Sequence, residues 1–484
     1  LHMFTSEFYK RFFFFWFRHN YFDSLVLLYY NSVMLKIIVK NNESFLKTDN
    51  KKLLSTLKKK YSAKVPGYNY SAAYKRRGWN GEKYFFSDKT GRFGTGLLSY
   101  ITEDLTYLGM DYEIEDLRDC PHLDDISLPG ITLRDYQESL VRQALSEKGC
   151  ILQAPTGAGK TLVLGGILKA LKEKTGLIFF TKKQLLKQTY DDLKKWGFDV
   201  GMAFGDGVII KPITLCTVQS IDKVIDTHLK TSEFIIFDEV HEFAKGKVAT
   251  KVIKSFPNAT YRIGMTATVP KDPMSRLNLI SGLGKVIKDV DALGLIDDGF
   301  LTKPLIQIIP VKDTGTVEDT ELSYREVYEK FITENELRNE MITELVKKIQ
   351  EKPSRTLIIV KDLKHAELLH ESIPNSFKLE GKDDLSVRQK TIDNFKNSEH
   401  SVLIGTTIMQ TGIDIPEITH LVNARGLKSE IATLQALGRA LRIHKSKKRV
   451  FIYDFFDRAP YLEKHAKERI KSYESLGLEI NNEK

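Results

Sequence analysis

From residue 149 onward, apolar runs of four to six residues recur, each closed by a polar or glycine turn. "GCILQAP", "TGLIFFT", "PITLCTV", "EFIIFDE" and "YRIGMTAT" form the first series. Amphipathic stretches separate them, among them "GKTLVLGGILKALKEK" and "KQLLKQTYDDLKKWG". Short, fully apolar strands alternating with helices predict a parallel sheet covered on both faces. The pattern then restarts with "RTLIIVKD", "KHAELLHESI", "SVLIGTT", "THLVNA" and "RVFIYDF". The fold class expected is therefore α/β, with two tandem parallel-sheet layers at 132–300 and 301–457. A charged helix, "YLEKHAKERIKSYESLG", occupies 458–484.

The chain before the layers reads differently. "LKIIVKN" alternates like a half-buried strand, and "NKKLLSTLKKKY" has helical spacing with a basic face. "KYFF" with "SDKTGRF" suggests a hairpin, "GLLSYITEDLTYLGM" a helix, and "DYEIEDLRD" a strand. Residues 34–120 are expected to form a small α+β domain. Residues 121–131, with two prolines and a glycine, read as a linker. Residues 1–33 hold thirteen aromatics but are interrupted by Arg18, His19, Asn20 and Asp23. No uninterrupted apolar run there approaches the ~20 residues of a spanning helix. This segment reads as an upstream extension, with Met34 as the natural start; the rival reading, a membrane anchor, is disfavoured by the interior charges.

Charge narrows the partner. A net charge of +10 favours a polyanion, of which nucleic acid is the commonest. Cys120, Cys150 and Cys216 are scattered and odd in number, which fits a reducing compartment and no disulfide frame.

Three motifs carry chemistry. "APTGAGKT" (154–161) lies between a predicted strand and a predicted helix, the context of a phosphate loop. Thr156, Gly157, Ala158 and Gly159 would curl backbone N–H groups round phosphate oxygens. Lys160 would reach the outer phosphates and Thr161 a Mg²⁺ ion. Ala154 stands where the general pattern has a glycine. "FIIFDEVHEF" is an apolar strand ending in Asp238-Glu239: Asp238 would hold the metal shell and Glu239 would deprotonate the attacking water. In "QALGRALR", read as a helix, Gln435, Arg439 and Arg442 fall at i, i+4 and i+7. Two guanidinium forks on one face can stabilise charge on a transferring phosphoryl group.

Taken in order, these motifs resemble those of the superfamily 2 helicases, over about 132–457, whose layers are RecA-like. "LRDYQ" (133–137) is similar to the adenine-reading motif, implying that Arg134 and Gln137 contact the nucleotide. "DEVH", "TAT" (266–268), "TTIMQTGIDIP" (406–416) and "QALGRALR" resemble the later motifs. The resemblance implies that His241, Thr266 and Thr268 couple hydrolysis to domain movement, and that Gly412 and Asp414 complete the nucleotide cleft. It also implies a strand track of Thr181, Lys182, Thr217, Gln219, Ser220, Lys361 and Thr406. The implied ligands are ATP, Mg²⁺ and DNA.

"AYKRRGWNGEKYFF" (73–86) sharpens the choice of substrate. Lys75, Arg76, Arg77 and Lys83 can neutralise phosphates, and Tyr74 and Trp79 can stack on an exposed base. Gly78 and Gly81 allow a tight turn; Phe85 and Phe86 suit a core. With the short motor and no nuclease constellation, this segment resembles the phage UvsW type of branched-DNA helicase. That implies fork regression and branch migration in replication, recombination or repair, by a phage-encoded monomer in the host cytoplasm, alongside other replication or recombination proteins. An RNA helicase of the same superfamily, a duplex translocase that does not unwind, and a non-catalytic DNA-binding scaffold remain as alternatives.

Overall fold

The computed structural model describes residues 35–119, 126–205, 207–244, 251–314, 318–380, 383–406, 415–428, 438, 440–445 and 447–482. The proposed start at Met34, the extension before it, and Cys120 lie outside these residues.

The first domain is built on β1 (Leu35–Val39), β2 (Glu43–Lys47), β5 (Arg92–Gly94) and β6 (Tyr112–Asp116), in the order β5-β2-β1-β6. β1 alternates as its sequence predicts, burying Leu35, Ile37 and Val39. Helix α1 (Lys51–Lys60) starts where the Asn50 side chain accepts from Leu53 N, and it buries Leu53, Leu54 and Leu57. Helix α2 (Leu98–Tyr107) buries Ile101 and Leu105. The hairpin expected at "SDKTGRF" is reduced to one bridge, Phe86 to Phe93. The strand before it, β4 (Glu82–Tyr84), pairs instead with β3 (Ser62–Lys64). Phe85 and Phe86 are buried, as expected of core residues.

The second domain has α3 (Asp135–Glu147), β7 (Gly149–Gln153), α4 (Lys160–Ala170), β8 (Gly176–Phe180), α5 (Lys183–Lys195), β9 (Val200–Phe204), β10 (Gly207–Ile209), β11 (Ile213–Thr217), β12 (Phe234–Phe237), β13 (Tyr261–Thr266), α6 (Pro273–Leu283) and β14 (Lys285–Ile287). Its sheet runs β10-β9-β11-β8-β12-β13-β7-β14, parallel except for the edge strand β10. β8, β11, β12 and β13 are buried at every position, as strands sandwiched between helices must be.

The third domain has β15 (Lys303–Thr314), α7 (Glu336–Gln350), β16 (Ser354–Ile359), α8 (Leu363–Ser372), β17 (Ser376–Leu379), α9 (Leu385–Asn397), β18 (His400–Gly405), β19 (His420–Asn423), β20 (Arg449–Arg458), α10 (Leu462–Glu474) and β21 (Ile480–Asn482). Its sheet is parallel throughout, in the order β17-β18-β16-β19-β20-β15-β21.

Two expected boundaries change. The C-terminal segment 458–484 is not an appendage, because β21 extends the third domain's sheet along β15. Helix α10 is locked into the same domain by Arg469, which is 2% exposed and ion-paired with buried Asp454 at 3.0 Å. Tyr473 donates to that carboxylate at 2.7 Å and Asn423 at 3.1 Å. The first domain is likewise no free module. Its core and part of the second domain's core form one continuous apolar cluster, with Phe85, Phe93 and Ile101 joined to Phe256, Leu279 and Leu283. Gly94 and Gly96 allow this approach: a Cβ on either would lie about 2 Å from a carbonyl oxygen, that of Ser281 or Ile280.

Two histidines in the third domain give its stability a pH signature. His365 is fully buried and lies 2.9 Å from Asn339 Oδ1 through Nε2; desolvation lowers its pKa to about 3. Desolvation also lowers His420, stacked on Phe451, to about 4. Between these values and about 6.5 the unfolded chain takes up protons that the folded chain refuses. Stability is therefore full above about pH 6.5 and is lost on acidification, by up to about 1.4 kcal/mol per pH unit for each histidine. In denaturant titrations from pH 7 to 4.5, His365→Gln is expected to reduce the slope of stability against pH.

Candidate active site and nucleic-acid track

The phosphate loop is shaped by two left-handed glycines, Gly157 (φ +91°) and Gly159 (φ +76°), and α4 begins immediately after them. Ala154 N donates to Thr266 O at 3.0 Å, which ties the start of the loop to the end of β13. Lys160 Nζ lies 3.3 Å from Ala154 O and 3.9 Å from Glu239 Oε1. The expected lysine and catalytic carboxylate thus face each other across the loop.

Asp238 and Glu239 leave the C-terminal end of β12. Desolvation, then the neighbouring Glu239 charge, pushes the Asp238 carboxyl well above the ordinary range, against the pull of Lys160. A carboxylate in that setting gains from a cation. Thr156 Oγ1 in the loop is buried and has no hydrogen-bond partner among the described residues, which suits an incoming phosphate. No group of three or more His, Cys, Asp or Glu able to hold a metal occurs among the described residues. Mg²⁺ on a phosphate needs fewer protein ligands, and Thr161 with Asp238 fits that requirement.

Glu239 has φ +48°, a left-handed conformation costing about 1–3 kcal/mol in a non-glycine residue. The strained turn aims it at Lys160 and at His241, whose Nδ1 is 3.4 Å from Glu239 Oε2. His241 Nδ1 also lies 2.8 Å from Thr266 Oγ1, which in turn accepts from Thr268 N at 3.1 Å. The structure therefore joins all three expected coupling residues to Glu239.

Four expected contacts change. Gln137 is 1% exposed; it accepts from Arg134 N at 3.0 Å and donates to Ala158 O at 3.0 Å. Its amide braces the phosphate loop from beneath instead of facing a base. Arg134 lies with its guanidinium 4.0 Å from the Phe300 ring centroid, so the Arg134–Phe300 pair, with Tyr136 beside it, is the flat surface near the loop. Thr217 and Ser220 are also buried and bond each other at 3.0 Å, which leaves Gln219 as the exposed member of that trio. Arg442 lies beyond the last described helical residue, Ala440, so it does not continue a helix face. Its backbone carbonyl accepts from Thr302 Oγ1 at 3.2 Å. Lastly, Lys83 does not point to solvent. Its ammonium donates to Asn278 Oδ1 at 2.7 Å, and burial lowers its pKa.

The second layer meets the loop directly. Gly438 lies so close to Thr156 that a Cβ would come within 2.4 Å of the Thr156 Cβ. Arg388 Nη1 donates to Gln184 Oε1 at 2.9 Å across the same cleft. Gln435, Arg439, Gly412 and Asp414 lie outside the described residues.

On the track, Thr181 Oγ1 donates to Glu242 Oε2, and Lys182 Nζ is 3.2 Å from Glu242 Oε1. Glu242 was missed in the sequence; its acidic place one turn after Glu239 was the available signal. Lys361 lies over the Tyr328 ring at 3.9 Å, and Thr406 follows β18. In the first domain Tyr74, Lys75, Arg76 and Arg77 are exposed and Trp79 is half-buried, its Nε1 donating to Glu82 O at 2.8 Å. Arg77 itself takes the left-handed turn (φ +57°), which the sequence suggested for Gly78.

The two family matches fall in the two motor layers. The family described as "Type III restriction enzyme, res subunit" matches residues 130–271, and "Helicase conserved C-terminal domain" matches 337–444. The chain is 26% identical over 377 residues to the ATP-dependent DNA helicase uvsW of Enterobacteria phage T4, covering 70% of this chain and 74% of that one. It is 26% identical over 352 residues to the DNA 3'-5' translocase XPB2 of Sulfurisphaera tokodaii, covering 64% and 79%. It spans 62% of a Rad25-type helicase of Halobacterium salinarum. Among solved structures, an HsdR-subunit fragment of a type I restriction enzyme from Vibrio vulnificus aligns with a TM-score of 0.56 at 19% identity, covering 72% of this chain and 68% of that one. Yeast Dbp5 bound to RNA and ADP BeF3 aligns with a TM-score of 0.51 at 16% identity, covering 71% and 89%. These two structures share the RecA-like fold.

Lys160→Ala and Glu239→Gln are each expected to lower nucleic-acid-stimulated ATP hydrolysis by at least ~100-fold, measured by phosphate release. Near-normal turnover in either variant would refute the assignment of the site.

Proposed function

We propose that the chain is an ATP-dependent DNA helicase of superfamily 2 whose task is to remodel branched DNA, a reading supported by the two helicase-family matches and the helicase relatives. The observation that carries the catalytic part is the Lys160–Glu239 pair, 3.9 Å apart and beneath the second layer. ATP binds on the phosphate loop with Lys160 at its outer phosphates. Thr161 and Asp238 would hold a Mg²⁺ ion, which would supply neutralisation of phosphate charge. Glu239 takes the proton of the attacking water, and His241 holds Glu239 in register with Thr266. From the second layer, Arg442 approaches Gly157 of the loop; Arg439, Gln435, Gly412 and Asp414, the further expected cleft residues, lie outside the described residues.

The DNA backbone runs over Thr181, Lys182, Gln219, Lys361 and Thr406. Hydroxyls, amides and ammonium groups on phosphate give grip without sequence preference. The first domain receives the branch. Its exposed Lys75-Arg76-Arg77 cluster neutralises duplex phosphates, and Trp79 offers a face for an unpaired base. Because that domain shares a core with the motor, the branch is held at a fixed place relative to the moving strand. The phage T4 relative, an ATP-dependent DNA helicase by name, supports DNA as the substrate. No helix among the described residues is long and apolar enough to cross a membrane.

The test is a substrate panel of single-stranded DNA, forked DNA, four-way junctions, tailed duplex and RNA, scored for ATPase stimulation and strand displacement. Forks and junctions are expected to be processed best; preferential processing of RNA would favour an RNA helicase. The double variant Arg76→Ala/Arg77→Ala is expected to weaken fork binding by roughly tenfold or more while leaving ATPase at saturating single strands within about twofold. Parallel loss of both would place the cluster in the motor's own track.

A further inference from the structure

Thr181 and Lys182 are the best-placed phosphate donors on the second domain, and both are engaged by one carboxylate, that of Glu242. Glu242 sits on the short helical turn Val240–Ala244, which begins immediately after Glu239 and also carries His241. The turn is short and stiffly connected, with Glu242 N donating to Glu239 O at 2.9 Å. Its far end is held as well, since Ala244 O accepts from Asn278 Nδ2 at 3.2 Å, and Asn278 is bonded to Lys83 of the first domain.

A carboxylate and a phosphodiester present the same chemistry to a hydroxyl and an ammonium: anionic oxygens that accept hydrogen bonds. The Thr181 hydroxyl has one proton to donate and cannot serve both, and an ammonium held by the carboxylate has fewer protons left for a phosphate. We propose, on the reading of the chain as a DNA motor, that Glu242 is a phosphate-mimicking latch. It holds Thr181 and Lys182 until a strand phosphate displaces it, and its release frees the turn that positions Glu239 and His241. Strand occupancy is thereby passed to the hydrolytic carboxylate through three residues of one turn. Glu242 acts through Glu239 and is a positioning residue.

The latch has a signature that a merely structural role lacks. With the full chain, ATP turnover is measured against the concentration of single-stranded oligothymidylate, together with binding of the same oligonucleotide. Glu242→Gln is expected to raise DNA-free turnover and to lower the half-saturating DNA concentration, each by roughly tenfold, the scale of one charge-assisted hydrogen bond. Turnover at saturating DNA stays within about twofold, so the stimulation ratio collapses. Glu242→Asp, which keeps the charge, is expected to retain most of the ratio. Lys182→Met supplies an independent arm, because it loosens the latch while removing a phosphate contact. DNA-free turnover should rise as DNA affinity falls, a pairing that simple loss of a DNA contact does not produce. The latch is overturned if wild-type turnover is DNA-stimulated but Glu242→Gln leaves both DNA-free turnover and half-saturation unchanged, or weakens DNA binding. It is also overturned if Lys182→Met lowers affinity with no rise in DNA-free turnover. A wild-type chain with no DNA stimulation at all would bring down the functional reading and the latch with it.

Discussion

The approach of the second motor layer to the phosphate loop is the constraint on which the rest of the molecule depends. A phosphate loop on one sheet can bind a nucleotide, but it supplies cations from one side only. Here the loop is met by Gly438, Leu301 and Arg442 at Thr156 and Gly157; within the second layer, Thr302 N donates to Leu441 O at 2.7 Å and ties these residues together. At each close approach one partner is a glycine, Gly438 against the Thr156 side chain and Gly157 against the Leu301 side chain. Any separation of the layers must break these contacts, so opening and closing become discrete states and not a continuous slide.

The same logic extends to the first domain. It shares a hydrophobic cluster with the second domain and is joined through Asn41 to Thr260 and through Lys83 to Asn278. Such an interface resists relative motion, in contrast to the cleft between the motor layers. The chain thus combines one rigid junction, which fixes where a branch is held, with one working junction, which moves the strand. Lys83 illustrates the division: it belongs to the basic segment by sequence but serves the rigid junction by structure.

Much of this was legible in the sequence where a single physical requirement fixes the residue type. Buried parallel strands demand unbroken apolar runs, and β8, β11, β12, β13, β16, β18 and β19 were all visible for that reason. Phosphate binding demands Gly157 and Gly159 in left-handed geometry, and both adopt it. Elements that satisfy two requirements at once were hidden. β15, not among the predicted strands, carries Pro304 and Pro310, and both lie outside the stretch Ile306–Ile308 that pairs with β21, where missing donors are tolerated. Thr217 and Ser220 looked like phosphate donors because a hydroxyl's partner is invisible in sequence; each is the other's partner. Gln137 looked like a base reader because an amide can serve a loop or a ligand equally well. Glu242 was passed over because a carboxylate beside a nucleic-acid track looks unfavourable until the two donors that it occupies are seen.

Gly438 offers the most direct test of the working junction. A methyl group there would press on Thr156, moving the layers apart without touching the loop's own glycines. The decisive measurement is DNA-stimulated ATP turnover of Gly438→Ala set beside its affinity for a fluorescent ATP analogue and its thermal stability. Binding within a few-fold of wild type with turnover reduced roughly 100-fold is the predicted result, since displacements of about 1 Å can cost that much in an aligned site. Unchanged turnover in a stably folded Gly438→Ala chain would contradict the claim that hydrolysis requires the second layer to close on the phosphate loop.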